Sequence, residues 1–97
     1  MPRPTPLTNQ AVASALDRLP GWTVDGRTLV KVDRAESFAA AVDWVIEIAS
    51  IAEEMDHHPD IQIRYREVTW RLSTHDVDAL TELDITLAHA IDGVVAG

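Results

Sequence analysis

The sequence predicts an α+β domain in which a four-stranded antiparallel sheet is covered on one face by three helices, in the order α-β-β-α-β-β-α. Three observations lead to this fold class. Apolar residues recur at helical spacing in three segments. Between the second and third of these, two segments alternate apolar and polar residues as half-buried strands do. An Asp-Gly pair between two short apolar runs marks a further hairpin. With 97 residues, the chain has room for one such domain and no more.

The N-terminal segment divides into an arm and a helix. Three prolines in residues 1–7 predict a disordered or extended arm, which leaves residues 8–97 as the single domain. Thr8 is the expected N-cap of the first helix, because its hydroxyl can accept a hydrogen bond from a free amide of the first turn. The helix is expected to end at Pro20–Gly21, since proline and glycine both interrupt helical structure.

A hairpin and a long helix are predicted next. Asp25–Gly26 is flanked by Trp22–Val24 and Thr28–Val32, and a tight hairpin turn needs the positive φ that glycine adopts easily. Arg34–Met55 keeps apolar residues at a spacing of three to four, in a stripe that starts at Phe38. Three apolar residues lie off this stripe and favour a contact with a second chain: Trp44, Ile46 and Ile51.

The second half of the chain predicts another hairpin and a closing helix. After Pro59 the period changes to two, which predicts two strands with the following apolar faces: Ile61, Ile63 and Tyr65, then Val68, Trp70 and Leu72. The closing helix carries an apolar stripe from Leu80 to Val95, with Thr81 or Asp78 as its cap. If the two strands pair as a hairpin, the start of the first lies beside the end of the second.

The composition narrows the class of function. The formal net charge is −8 and the sequence pI is about 4.7, so nucleic acids and anionic membrane surfaces are unfavourable partners. The chain has no cysteine, which excludes disulfides and thiolate chemistry. Neither a signal-peptide-like apolar stretch nor a run of transmembrane length is found, so a cytoplasmic protein is expected.

Three histidines are the candidates for chemistry. His57 and His58 come at the end of the long helix and His75 follows the last strand, so the predicted hairpin brings them to one place. Imidazoles transfer protons near neutral pH because an unperturbed histidine titrates near ~6.5. Glu53, four residues before His57, could share a helix face with it. A single helix-end or loop histidine often has no special role, but convergence from separate segments favours an acid–base site.

A zinc ion is the alternative to a metal-free site, because three histidines with an open fourth position are a known catalytic arrangement. Adjacent residues such as His57 and His58 rarely direct both rings at one metal, and neither an HxH nor an HxxxH spacing is present. A metal-free site is therefore expected. His89, on the closing helix, is expected at the surface.

A longer pattern surrounds these histidines. It consists of Glu53, His57, His58, Pro59, Tyr65, Val68, Thr74, His75, Leu80, Thr81 and Asp84, preceded by the run Leu19–Trp22. This pattern, which covers nearly the whole chain after the arm, resembles the signature of the pterin-4a-carbinolamine dehydratase family.

The resemblance implies a metal-free and cofactor-free dehydratase that removes water from 4a-hydroxytetrahydrobiopterin to give quinonoid dihydrobiopterin. It implies a homodimer or tetramer, and it names His57, His58 and His75 as active-site histidines. We expect His57 and His75 to transfer the protons and His58 to orient the ring, with acid and base unassigned.

The supporting residues that the resemblance implies are Glu53, Asp76 and Asp84, with Trp22 near the pterin. The alternatives are a non-catalytic, coactivator-type binding module of the same fold and a protein that serves another pterin or none.

The chain departs from the family pattern in one loop. The family usually places a glycine shortly before the Leu-Thr pair of the last helix, and Asp78–Ala79 stands there instead. If that glycine has a positive φ, Ala79 requires a different loop, which leaves the position of Asp76 open. The change does not involve the histidines, so we expect it to affect binding more than the reaction.

Overall fold

The computed structural model describes residues 3–97, so Met1 and Pro2 of the predicted arm lie outside the described residues. Within that range the elements are α1 (Asn9–Leu16), β1 (Thr23–Asp25), β2 (Thr28–Arg34), α2 (Phe38–Met55), β3 (Asp60–Arg64), β4 (Glu67–Leu72), a 3₁₀ turn (His75–Val77) and α3 (Glu82–Ala96). This order of helices and strands confirms the predicted fold class. No helix in residues 3–97 has both the length and the apolar character needed to cross a bilayer.

The four strands form one antiparallel sheet in the order β1-β2-β4-β3. Burial alternates along the central strand β4: Val68, Trp70 and Leu72 are fully buried, whereas Arg71 is exposed. Such alternation arises because successive side chains of a strand point to opposite faces. One face of the sheet therefore packs against the helices, whereas the opposite face, which carries Arg71, is not covered by a helix of residues 3–97.

The first helix and hairpin differ from the prediction in their boundaries. Thr8 caps α1 as predicted, with its hydroxyl accepting from the Ala11 amide at 3.0 Å. The helix nevertheless ends at Leu16 rather than at Pro20, because Leu19 leaves the helix in a turn and becomes buried in the core. The hairpin turn is Gly26–Arg27, one residue later than predicted, and Gly26 supplies the positive φ of 64°.

The start of α2 was also predicted too early. Arg34 belongs to β2, where it pairs with β4, and the helix begins after Ser37, whose hydroxyl accepts from the Ala40 amide at 3.0 Å. The face of α2 that packs on the sheet and on α3 has fully buried side chains at three positions: Ala41, Ile48 and Ala52. The predicted stripe thus holds for the centre of the helix.

The outer surface of α2 is less apolar than the sequence suggests. Trp44 and Ile51 are half-buried and pack against the core, so they are not the free apolar surface that was expected. Ile46 is 62% exposed as predicted, and Phe38, which was assigned to the inward stripe, is 53% exposed. The apolar surface of this helix that is available to a second chain therefore consists mainly of Phe38 and Ile46.

Tyr65 is not part of a strand face, contrary to the prediction. Arg64 pairs with Glu67, which leaves Tyr65–Arg66 as the turn between β3 and β4. Tyr65 has a φ of 55° and is 72% exposed. A bulky residue rarely adopts this left-handed conformation, because its Cβ approaches the following carbonyl.

An ion network lies on the helix-covered side of the sheet. The Lys31 ammonium is 2.8 Å from Oδ1 of Asp92 and 3.1 Å from Oδ1 of Asp33. Nε1 of Trp22 donates to Asp92 at 2.9 Å, and Nε1 of Trp70 donates to Asp33 at 2.9 Å. Burial lowers the pKa of Lys31, but the hydrogen bonds to both aspartates and their charges outweigh it, so the pKa is raised above 10.5.

Candidate active site

The pairing of β3 with β4 brings the three histidines together, as predicted. Asp60, the first residue of β3, pairs with Arg71 near the end of β4. The chain that leads into β3 therefore lies beside the chain that leaves β4. His57, His58 and His75 all line one pocket at this end of the hairpin.

The pocket is small, and most of the residues that line it have polar side chains. Its volume is about 210 Å³, which is below the range of about 300–1,000 Å³ typical of drug-sized ligands. Besides the histidines it is lined by Pro4, Asp56, Ser73, Thr74, Asp76 and Leu83. A pocket of this size and lining fits a small ligand with several polar groups.

A sharp helix end directs His57 toward the core. Asp56 adopts a left-handed conformation with φ of 50°, and its amide donates to the Glu53 carbonyl at 3.2 Å. The amide of His57 donates to the Ala52 carbonyl at 3.0 Å. These two bonds form a Schellman motif, which ends a helix and reverses the chain. The motif places His57 in the interior, where its side chain is 9% exposed.

His57 is bonded to a buried carboxylate. Its Nε2 lies 2.7 Å from Oδ1 of Asp84, which is the third residue of α3 and is fully buried. An ionised carboxylate can only accept, so Nε2 carries the proton and donates it in this bond. In this tautomer Nδ1 is the ring nitrogen that can accept a proton. The family resemblance implied Asp84 as a supporting acid, and the structure places it against His57.

The same carboxylate is held by the start of α3. Oδ2 of Asp84 accepts from the Thr81 amide at 2.9 Å and from the Thr74 hydroxyl at 2.8 Å. The Thr81 hydroxyl caps the helix by accepting from the Leu83 amide, and it lies 2.8 Å from the Thr74 hydroxyl. These contacts fix both carboxylate oxygens, so His57 is held by a rigid partner.

His58 is bonded to the carboxylate that was expected beside its neighbour His57. Its Nε2 lies 2.5 Å from Oε2 of Glu53, and the two side chains are 55% and 75% exposed. Glu53 was expected to share a helix face with His57, four residues later, which is wrong. The helix ends before His57, so the four-residue geometry no longer applies.

His75 opens the 3₁₀ turn at the pocket and is exposed. The loop that carries it is closed by Thr74 and Ala79, with the Thr74 amide donating to the Ala79 carbonyl at 3.0 Å. The positive φ of this loop, 50°, falls on Asp78 and not on Ala79. Aspartate tolerates this conformation better than most residues, and Asp76 in the same loop lines the pocket.

Trp22 is the one candidate that the structure does not bring to the histidines. It is 5% exposed in the core cluster, bonded to Asp92, and is not among the residues that line the pocket. Pro4, Asp56, Ser73 and Leu83 also line the pocket but were not named as site residues. Asp56 and Ser73 had a usable signal, because each lies within two residues of a predicted active-site histidine.

Other hollows in the described part of the chain lack this chemistry. One of about 350 Å³ lies between α1 and the first hairpin, and its charged side chains, Arg27 and Asp78, bond to each other. Another, of about 510 Å³, lies between α1 and α3 and includes His89, which is exposed as predicted. Within residues 3–97, no group of three or more His, Cys, Asp or Glu side chains is arranged to hold a metal ion.

The fold and the pocket together define an α+β protein with three histidines in one pocket. The model of the family described as pterin 4 alpha carbinolamine dehydratase matches residues 5–94. A protein of Nocardia farcinica, which carries the provisional name pterin-4-alpha-carbinolamine dehydratase, is 48% identical over 86 residues, covering 89% of this chain and 90% of the relative. The chain belongs to the pterin-4a-carbinolamine dehydratase family.

Two solved structures share the fold. A protein of Brucella melitensis, described as a transcriptional coactivator/pterin dehydratase, is 33% identical with a TM-score of 0.90 and covers 94% of this chain and 99% of its own. A pterin dehydratase-like protein described as a RuBisCO assembly factor in the alpha-carboxysome is 19% identical with a TM-score of 0.64. The match covers 78% of this chain and 88% of that protein, and at this identity it shows the fold alone.

Proposed function

We propose that this chain is a 4a-hydroxytetrahydrobiopterin dehydratase that gives quinonoid dihydrobiopterin. The observation that carries the proposal is the shared pocket of His57, His58 and His75, with His57 bonded to the buried Asp84. Family membership supports the substrate class. The net charge of −8 disfavours direct nucleic-acid binding.

The reaction needs two proton transfers at one ring. A base removes the proton from N5, and an acid protonates the 4a-hydroxyl. As the C4a–O bond breaks, a double bond forms between N5 and C4a and water leaves. Two imidazoles can supply both transfers, and such groups each contribute about 10²–10⁴-fold to a rate.

His57 is assigned as the base and His75 as the acid. Nε2 of neutral His57 donates to Asp84, so its Nδ1 is free to accept a proton, and the carboxylate stabilises the imidazolium that results. His75 is exposed at the pocket and can exchange its proton with solvent between turnovers. His58, held by Glu53, orients the ring in this scheme.

The test is stopped-flow absorbance with chemically generated 4a-hydroxytetrahydropterin. The wild type is expected to accelerate loss of water, and His57→Ala and His75→Ala are each expected to lose about 10²-fold or more in kcat. His89→Ala is the matched control, because this histidine is exposed on α3 and does not line the pocket. Absence of acceleration by the folded wild type would contradict the dehydratase assignment and leave the binding-module alternative.

We also infer that the chain forms a homodimer or tetramer. Phe38 and Ile46 are 53% and 62% exposed on α2, and large apolar side chains at one surface favour association. Sedimentation velocity is expected to show a mass above that of one chain, with dissociation in Ile46→Glu. A monomeric wild type at micromolar concentration would contradict the inference.

A further inference from the structure

The N-terminal arm, residues 3–7, lies against the body of the protein although it contains no helix or strand. The amide of Leu7 donates to the Leu80 carbonyl at 2.8 Å, and the Leu7 side chain packs on the core. Pro4 and Pro6 each restrict φ, so the segment before this anchor has few conformations to lose on ordering. The arm is therefore fixed at one end and stiff along its length.

Pro4 reaches the histidine pocket. It is half-buried, and it lines the pocket together with residues that precede β3 and follow β4. Of the nine residues that line the pocket, Pro4 and Leu83 are the two with wholly apolar side chains. Pro6, two residues along the same arm, is exposed and does not line the pocket.

A pterin presents polar atoms at the edges of its ring and apolar surface on its two faces. The histidines, Asp56, Ser73 and Asp76 can bond to the edges, but the faces need apolar contacts. We propose that Pro4 is a substrate-binding residue, which packs against a face of the pterin and excludes water at the mouth of the pocket. This proposal rests on the proposed function for the identity of the ligand.

The side chain of Pro4 has no group that can transfer a proton. Pro4 therefore contributes to substrate binding and not to the chemical step. Pro4→Ala removes two ring methylenes and keeps the backbone and Cβ. If one or both of these methylenes contact the ligand, KM should rise about 4- to 15-fold. The value of kcat should stay within about twofold, because a contact made equally in the ground state and transition state changes KM alone.

The experiment compares wild type, Pro4→Ala, Pro6→Ala and a variant that begins at Leu7. Dehydration kinetics give KM and kcat, and fluorescence titration with an oxidised pterin gives a Kd that needs no turnover. Pro4→Ala and the truncated variant should show raised KM and Kd, whereas Pro6→Ala, which loses the same ring from the same arm, should match the wild type. Thermal midpoints verify that all four proteins are folded.

Two results would overturn the proposal: equal KM and Kd for Pro4→Ala and Pro6→Ala, or a fall in kcat with unchanged KM in Pro4→Ala. A wild type without dehydratase activity would contradict the proposed function separately. In that case the titration still decides whether Pro4 contacts a bound pterin, and absence of pterin binding by the wild type would overturn this proposal too.

Discussion

His57 and Asp84 are joined by a buried 2.7 Å contact between Nε2 and Oδ1, although they are 27 residues apart in the chain. The same Asp84 closes the N-terminal capping box of α3. The formation of this helix end and the orientation of the proposed base therefore depend on one side chain. Removing the whole carboxylate should cost about 3 kcal/mol, because His57, Thr74 and the Thr81 amide would each lose a buried partner.

Asp84→Asn should preserve the fold and reduce kcat by about 10²-fold. The Asn oxygen can still accept from Thr74 and the Thr81 amide, which leaves its NH₂ group facing Nε2 of His57. Nε2 must then accept, so the proton moves to Nδ1 and the proposed base is lost. Stopped-flow kinetics and a thermal melt measure the two effects separately.

The control for this substitution is Glu82→Gln. Glu82 is an exposed acid in the first turn of α3, so this variant loses the same charge near the same helix end without touching His57. It should retain the wild-type kcat. Full activity in Asp84→Asn would show that the tautomer of His57 does not matter.

Glu53→Gln should have a much smaller effect, with kcat reduced less than about tenfold and stability changed by less than about 1 kcal/mol. Both members of the His58–Glu53 pair are more than half exposed, and water screens such pairs. The same kinetic assay tests this ranking. If Glu53→Gln is as impaired as Asp84→Asn, then the exposed pair is part of the proton transfer and His58 does more than orient the ring.

Comparing Glu53 with Asp84 shows which contacts of the site could be predicted from the sequence. The period-two alternation around Trp70 was sufficient to pair β3 with β4 and so to bring His58 and His75 together. The partner of Glu53 was not predictable from helical spacing, because the left-handed Asp56 ends α2 one residue before His57. Backbone reversal at a non-glycine residue has little local signal in a sequence.

The contacts of the N-terminal arm could not be predicted from the sequence for a related reason. Three prolines predict a disordered or extended arm, but the direction of residues 3–7 is set by the bond between Leu7 and Leu80, which are 73 residues apart in the chain. Trp22 shows the converse error. The family resemblance suggested a place near the pterin, whereas its indole packs in the core and donates to Asp92.

Lys31 should make the stability of the protein depend on alkaline pH. Its pKa is raised above 10.5 in the folded state, because the bonds to Asp92 and Asp33 outweigh burial. Because the pKa is higher in the folded state, protonated Lys31 contributes its full stabilisation of the fold below pH 10.5. This contribution is lost as the pH rises through the folded-state pKa. Lys31 is the only lysine, so a ¹⁵N NMR titration of its Nζ reports this pKa directly.

Lys31→Met is the matched variant for this pH dependence. At neutral pH it should lose about 3 kcal/mol of stability, because Asp33 and Asp92 remain without their cation. Urea unfolding from neutral pH to above pH 10.5 should show the free energies of unfolding of the two proteins converging as Lys31 of the wild type deprotonates. If the free energies of unfolding of the two proteins run parallel with pH, then Asp33 and Asp92 do not stabilise the Lys31 ammonium.

Tyr65→Asn should raise the free energy of unfolding by about 1 kcal/mol, because asparagine tolerates the left-handed conformation that costs a bulky residue about 1–2 kcal/mol. Tyr65 has a φ of 55° and is 72% exposed, so the substitution removes little packing. Tyr65→Phe keeps the strain and should match the wild type. Urea midpoints at one protein concentration, with unchanged slopes, measure the difference. Equal midpoints for the two variants would show that the turn accommodates Tyr65 without strain.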